Sequence, residues 1–529
     1  MQIKKLNSLV YKLSILFLII GSIYFFSKIS NEYYALIISP YQQEYRETVT
    51  SLATKLLLDN KNPYCIDNQP EYAQAYGITQ NIIAYPFAYL FGSSLQTHRV
   101  VTAIGILLSC LVIILWLKKL NIPLVVAIPA TFSVFISFFY NVLPINRPDS
   151  WGLFFMLTSI YIPYRYNYSS KSLALSILLG IIAFYTKSYF VLGIISIGSF
   201  IFLFISKKKG LIYTLAFIIS FAVSICIISY IYPLFFYLTI LSFLNYSLEG
   251  SWLYANKQII TFLYVNKFLL LLFCFSLFTI IYHILKKNLL PNYRISLNLA
   301  NFNKGLIITK LSFSNLLIIY TFSLFFIIVY IVLGKNDGAF LVYYFTHVTP
   351  FFVLTTLVLL YKIKNKLLIS FGILLLLLNH WSINKLLYSS SLTPKEEKKW
   401  QIAKSYIDNS SEVIGSPVVA NLIKENNLKV YQQGLSLQFI YAAKIKKPIL
   451  KSIFPRYTEI DRVGKEFYTK IDSNIINHNF DLIVTEQNKD IISTKTLITK
   501  HYVKLDTLTL AMPFTGQYWK VEFWKPKQK

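Results

Sequence analysis

Apolar runs of membrane-spanning length follow one another along most of this chain, separated by short polar connections, up to about residue 383. Crossing a hydrocarbon core takes roughly 20 mostly apolar residues as a helix. Candidate spans cover 13–37, 100–117, 122–140, 150–164, 172–186, 189–206, 211–232, 260–284, 312–333, 341–361 and 367–383, about eleven in all. The runs at 150–164 and 172–186 are short and must tilt or lie partly buried inside a bundle. The first run follows a basic stretch ending at Lys12, as in a signal peptide. No small-residue cleavage site comes after it, so it reads as a retained helix. The pattern predicts an α-helical polytopic membrane protein occupying 1–384.

The pattern changes after residue 385. The segment 385–529 is charged, lacks a span, and alternates short apolar strands with helical stretches. Residues 412–416, 417–426 and 428–432 read as strand, helix and strand, and 481–485 as a further strand. This predicts a small C-terminal α/β domain. Gly415 and Gly434 make no dinucleotide fingerprint, so no cofactor is assigned to it. The connection 38–99 is long, and its amphipathic stretches at 49–58 and 82–91 predict helices lying along the interface over a cavity, apolar faces towards lipid.

Composition narrows the class. With 55% hydrophobic, 17% aromatic and only 14% charged residues, the chain has more apolar surface than a soluble domain can hide. A net charge of +28 would suggest nucleic acid for a soluble protein. Here the basic residues lie between apolar runs, so orientation and anionic lipid account for them and no nucleic-acid partner is expected. One alternate set of connections carries Lys4, Lys5, Lys12, Lys118, Lys119, Arg165, Lys171, Lys207, Lys208, Lys209, Lys286, Lys287 and Lys362, with almost no acid. The other set, 38–99, 141–149, 233–259 and 334–340, holds the acidic residues. Positive charge stays inside, which predicts a cytoplasmic N-terminus, outward-facing acids and, for an odd number of spans, an extracytoplasmic 385–529. The four cysteines form no CxxC or metal-like cluster.

Ionisable groups gather on the outward set. Glu44 and Glu47, at i and i+3, share one face of any helix there; they are either a general base in a partly desolvated cleft or interfacial acids paired with Arg46. Arg147 and Asp149 stand at a span entrance, either a phosphate fork with an acid that orients an acceptor or helps hold a divalent cation, or a local ion pair. Lys187 lies in a turn, where a cation neutralises phosphate or snorkels to headgroups. Lys335 sits in Gly334-Lys335-Asn336-Asp337-Gly338, and His347 follows as a ligand of a reacting phosphate or a packed interfacial histidine.

These residues come in a recognisable order: an outward acid after the first span, Asn62-Pro63-Tyr64, Tyr76-Gly77, Phe91-Gly92 leading to His98-Arg99, Arg147-Pro148-Asp149, Thr186-Lys187, then the Lys335 turn and Pro350. Over about 10–385 the chain resembles the GT-C superfamily of integral membrane glycosyltransferases, in the branch of protein mannosyltransferases and aminoarabinose transferases (glycosyltransferase family 39-like). The resemblance implies inverting transfer of a sugar from a polyprenyl-phosphate donor to a glycan, lipid or protein acceptor on the outer face. It maps the base onto Glu44, with Glu47 as the near alternative because Gln43-Glu44 stands where an Asp or an Asp-Glu pair is usual. Asp149 becomes the second-loop acid, and Arg147, Lys187 and Lys335 the basic groups near the donor phosphate; Arg46 and His347 complete the candidate donor-phosphate set. No cofactor is required on sequence evidence; some relatives use a divalent cation such as Mg or Mn, and the sequence leaves the metal open. Low Ala and Gly with abundant Lys, Ile and Asn suggest an AT-rich bacterial genome, hence a bacterial plasma (inner) membrane and an undecaprenyl carrier.

A lipid-linked sugar flippase or transporter is the rival from another class, but it tends to show repeated halves with mid-span charges, and the ionisable residues here cluster at one surface. A polysaccharide polymerase or ligase usually has its large outward loop late among the spans, whereas the long loop here is the first.

Overall fold

A backbone in lipid has no water to bond, so each apolar run must close its own hydrogen bonds as a helix. The computed structural model describes all residues except 1, 45, 142–144, 243–251, 287–295, 298–306, 309–319, 330–346, 364, 387–391, 432–435, 445–447, 487–494, 513–516 and 529. In chain order the first helices are α1 (Gln2–Ile38), α2 (Glu47–Leu58), α3 (Thr79–Phe91), α4 (Leu95–Lys119), α5 (Leu124–Asn141), α6 (Asp149–Arg165) and α7 (Ser170–Thr186). They are followed by α8 (Ser188–Ile205), α9 (Lys207–Ile231), α10 (Trp252–Val265), α11 (Lys267–Lys286), α12 (Tyr320–Val329), α13 (Val348–Lys362) and α14 (Lys366–Leu386).

Among the described residues, α1, α4, α8, α9 and α14 are long and apolar enough to cross a membrane, and the pair α10–α11, bent by 79°, makes a further candidate. Shorter apolar helices at Leu124–Phe138, Ser170–Thr186, Tyr320–Val329 and Val348–Lys362 overlie other predicted spans. This is a multi-pass membrane protein. Helix α9 leaves Leu215, Ile219, Val223 and Ile227 exposed along its length, a surface suited to lipid rather than water. The short helix α6 lies inside the bundle instead, burying Leu153, Met156, Leu157 and Ile160. Small residues let it in: a Cβ at Gly105 of α4 would stand 2.8 Å from Ser150 Oγ, and one at Gly152 would meet the Phe190 ring at 2.2 Å.

The C-terminal part starts with α15 (Pro394–Asp408), opened by a capping box in which Thr393 and Glu396 satisfy each other's backbone N–H groups. Two short paired strands, β1 (Ser296–Leu297) and β2 (Ile307–Ile308), precede it. Its sheet has the order β3 (Val413–Gly415), β4 (Leu482–Glu486), β6 (Gln517–Pro526), β5 (Tyr502–Met512). The β3–β4 pair is parallel and the other two pairs are antiparallel. Trp400, Val413, Leu422, Leu482, Leu510 and Phe523 share its core.

Two expectations need correction. The described residues of the expected strand at 428–432 form no strand. And α2 does not turn an apolar face to lipid: residues Glu47 to Thr54 are all buried, because α3 and α4 on the bundle side and the C-terminal part on the other enclose them. Tyr41 stacks on Trp400 with ring centroids 5.1 Å apart, Leu52 enters the same core as Trp400, and Lys424 Nζ donates to Ser51 Oγ (3.1 Å) and to the Ser93 carbonyl (2.6 Å). Helix α3 does show the expected apolar face, with Ile82, Tyr85 and Tyr89 exposed.

Candidate active site

The site forms where α1 ends. Its last carbonyls need partners, and Arg99, in the first turns of α4, supplies them. Its Nη1 donates to the Leu36 (2.8 Å) and Ser39 (2.6 Å) carbonyls and its Nη2 to the Tyr41 carbonyl (2.8 Å). The remaining N–H groups bind Glu47: Nε to Oε1 at 2.9 Å and Nη2 to Oε2 at 2.7 Å. All five guanidinium donors are thus used. Glu47 accepts further bonds from the backbone N–H of Gln43 (2.6 Å) and of Asn146 (3.0 Å). Neither Arg99 nor Glu47 is exposed. The pair ties the α1–α2 turn to the 146–149 turn, and its carboxylate is fully occupied. Sequence reasoning noted Arg99 within a motif but did not count it in the site; its signal was an arginine in the first turn of an apolar helix.

Glu44 lies between these anchors, 2% exposed. Oε1 accepts from Arg46 Nε (2.7 Å) and faces Arg147 Nη2 (3.3 Å), and Oε2 accepts from the Arg46 backbone N–H (2.9 Å). Burial alone would raise its carboxyl pKa, but the charges of Arg46 and Arg147 and the Arg46 hydrogen bonds outweigh it and hold the group below its ordinary value. Burial opposes charge on Arg147 as well, and Glu44, Tyr76 and Asp149 together more than compensate, so the guanidinium stays charged.

The second carboxylate, Asp149, begins α6 and is fully buried. Its Oδ1 accepts from Lys187 Nζ at 2.9 Å and from the Tyr189 hydroxyl. Its Oδ2 has no hydrogen-bond partner among the described residues. Burial would raise this group; Lys187 and Arg147 pull it below the ordinary aspartate value. Lys187 caps the end of α7 in extended backbone. Burial pushes its ammonium pKa down to about 8, with Asp149 pulling the other way. The ammonium also lies over the rings of Tyr189 (4.8 Å) and Tyr76 (5.3 Å).

The Asn-Pro-Tyr and Tyr-Gly motifs turn out to be scaffolding. The Tyr64 hydroxyl donates to the Tyr76 carbonyl (2.5 Å), and the Gly77 N–H donates to the Thr186 carbonyl (3.2 Å), one residue from Lys187. His347 is 1% exposed, its ring 4.6 Å from those of both Tyr189 and Phe190. The structure therefore brings Glu44, Glu47, Arg46, Arg147, Asp149, Lys187 and His347 to one end of the bundle; Lys335 lies outside the described residues. That end is opposite the basic ends of α4 (Lys118, Lys119) and α9 (Lys207–Lys209), since α4 runs from Arg99 to Lys119.

Apart from the self-neutralised Glu47–Arg99 pair, the cluster has three cations and two carboxylates, so it carries about one net positive charge before His347 is considered. Among the described residues no group of three His, Cys, Asp or Glu side chains is placed to hold a metal ion. One open oxygen on Asp149 is not a ligand set, so the donors among the described residues do not fit a bound divalent cation. The arrangement can bind a phosphate-type anion and hold ionised carboxylates beside it.

No family model matches the sequence, and no curated protein matches it either. Among solved structures the chain is similar to ArnT from Cupriavidus metallidurans in the apo state, with a TM-score of 0.50 at 9% identity, covering 94% of this chain and 97% of that one. The same protein bound to undecaprenyl phosphate gives 0.46 at 10% identity over 94% and 97% of the two chains. An oligosaccharyltransferase from Archaeoglobus fulgidus in the apo form gives 0.45 at 12% identity, over 97% of this chain and 74% of that one. The chain shares the fold of ArnT over almost its whole length.

Proposed function

We propose that this protein is an inverting glycosyltransferase that moves a sugar from a polyprenyl-phosphate donor to a hydroxyl on a glycan, lipid or protein acceptor at the outer face of a bacterial plasma membrane. The observation that carries the reading is the pairing Glu44–Arg147 and Asp149–Lys187: two buried carboxylates, each held ionised by a cation, in a site with spare positive charge. The ArnT-like fold supports it, and ArnT itself has been crystallised with undecaprenyl phosphate. On this reading 385–529 is an extracytoplasmic domain over the site.

The reaction is a single displacement. The acceptor oxygen attacks the anomeric carbon, the bond from that carbon to the phosphate oxygen breaks, and Glu44 takes the acceptor proton. Glu44 fills the role of base because Glu47 has no oxygen to offer. Asp149, through its open Oδ2, orients the acceptor. The departing phosphate gains a charge, which Arg46, Arg147 and Lys187 stabilise in a water-poor cleft. A phosphate sharing Arg147 with Glu44 also weakens the force that keeps the carboxyl pKa low, so donor binding makes the base stronger.

The test is incubation of purified protein with labelled polyprenyl-phosphate sugars and envelope extract. Loss of sugar from the lipid, release of polyprenyl phosphate and appearance of label in a product support the reading. Donor that crosses a bilayer intact identifies a flippase and overturns it.

A further inference from the structure

We infer that the C-terminal part sets the position of Glu44, through Gln42; the inference rests on Glu44 being the base. The described residues between α1 and α2 form no helix or strand, and α2 holds the Glu44 backbone through one bond, from the Glu47 N–H to the Glu44 carbonyl (3.1 Å). The other polar groups of this stretch must find partners elsewhere. Gln42, 1% exposed, stands two residues before Glu44 and faces the C-terminal part. Its Nε2 donates to the Glu44 carbonyl (3.4 Å) and the Pro417 carbonyl (3.2 Å), and its Oε1 accepts from the Asn421 backbone N–H (2.9 Å).

The neighbouring residues repeat the arrangement. Asn421 Nδ2 donates to the Pro40 carbonyl (3.4 Å), and Tyr41 is stacked on Trp400. From the bundle side, Arg99 holds the Ser39 and Tyr41 carbonyls. Residues 39–44 are therefore gripped between Arg99 and the 417–421 turn, and Gln42 is the side chain that bonds both the Glu44 backbone and that turn. Only an amide offers two donors and an acceptor from one group. Gln42 is a positioning residue: it touches no reacting atom, but a misplacement of about 1 Å at a reacting group costs on the order of 10²-fold in rate.

The experiment uses the full chain with Gln42→Met, which keeps the size of the side chain and removes its three hydrogen bonds. Turnover with a labelled polyprenyl-phosphate sugar should fall at least about tenfold in kcat per folded molecule, with donor KM within about twofold of the parent. Amide hydrogen exchange should quicken in 39–47 and in 417–425 together. A kcat per folded molecule equal to the parent's overturns the inference, as does faster exchange confined to one of the two segments. Failure of the base assignment is read separately: Glu44→Gln would then retain turnover, while the joint loosening of the two segments in Gln42→Met would persist.

Discussion

Arg99 and Glu47 meet through two parallel hydrogen bonds, 2.9 and 2.7 Å long, with neither side chain exposed. Removing one member of a buried pair leaves the other charge uncompensated and costs about 3–5 kcal/mol. Arg99→Leu and Glu47→Gln should therefore lower the thermal unfolding midpoint of the purified protein far more than Glu44→Gln does, because Glu44 keeps no comparable set of bonds to the bundle. Equal midpoints for the three variants would remove the scaffold role of the pair.

On the proposed mechanism the charged form of Lys187 stabilises the leaving phosphate, so the transfer rate should depend on pH. Its ammonium pKa is lowered to about 8 by burial. In the free protein the cation is present below about pH 8 and lost above it, so kcat/KM should fall on the alkaline side with a midpoint near 8. In Lys187→Arg that limb should disappear from the assay range, since a guanidinium stays charged. An alkaline limb that stays in place in Lys187→Arg would assign it to another group.

Gly77 allows the 76–77 turn to approach the end of α7. A Cβ there would stand 1.7 Å from the Tyr185 carbonyl oxygen and 2.8 Å from that of Thr186, both backbone atoms that no side-chain rotation relieves. Gly77→Ala should push Lys187 away from Asp149 and cut kcat by about 10²-fold. A kcat within about twofold of the parent's, from folded protein, would show that the turn is free to shift.

The sequence made the bundle legible because lipid imposes one rule on every apolar run, and helices lie over each predicted span wherever the residues are described. The helices α2 and α3 were legible through their periodicity, but the burial of α2 was not, since it depends in part on a surface more than 300 positions away. The same distance hid Gln42, whose polar partners Pro417 and Asn421 lie 375 and 379 residues along the chain. In the tail, the alternation in Tyr502–Met512 and Gln517–Pro526 is a hairpin signal that the reading of 385–529 leaves unassigned. At the site, residue types mark Glu44, Arg147, Asp149 and Lys187 as candidates, and the structure brings them together. Only geometry could separate Glu44 from Glu47, because the difference lies in which carboxylate Arg99 occupies.

The most direct measurement compares purified parent protein and Glu44→Gln in single-turnover transfer from a labelled polyprenyl-phosphate sugar, with binding of the donor followed in the same samples. A positioned base contributes about 10²–10⁴-fold, so the amide variant should bind donor as the parent does and release polyprenyl phosphate slower by that factor. Release at the parent's rate from folded Glu44→Gln would contradict the account.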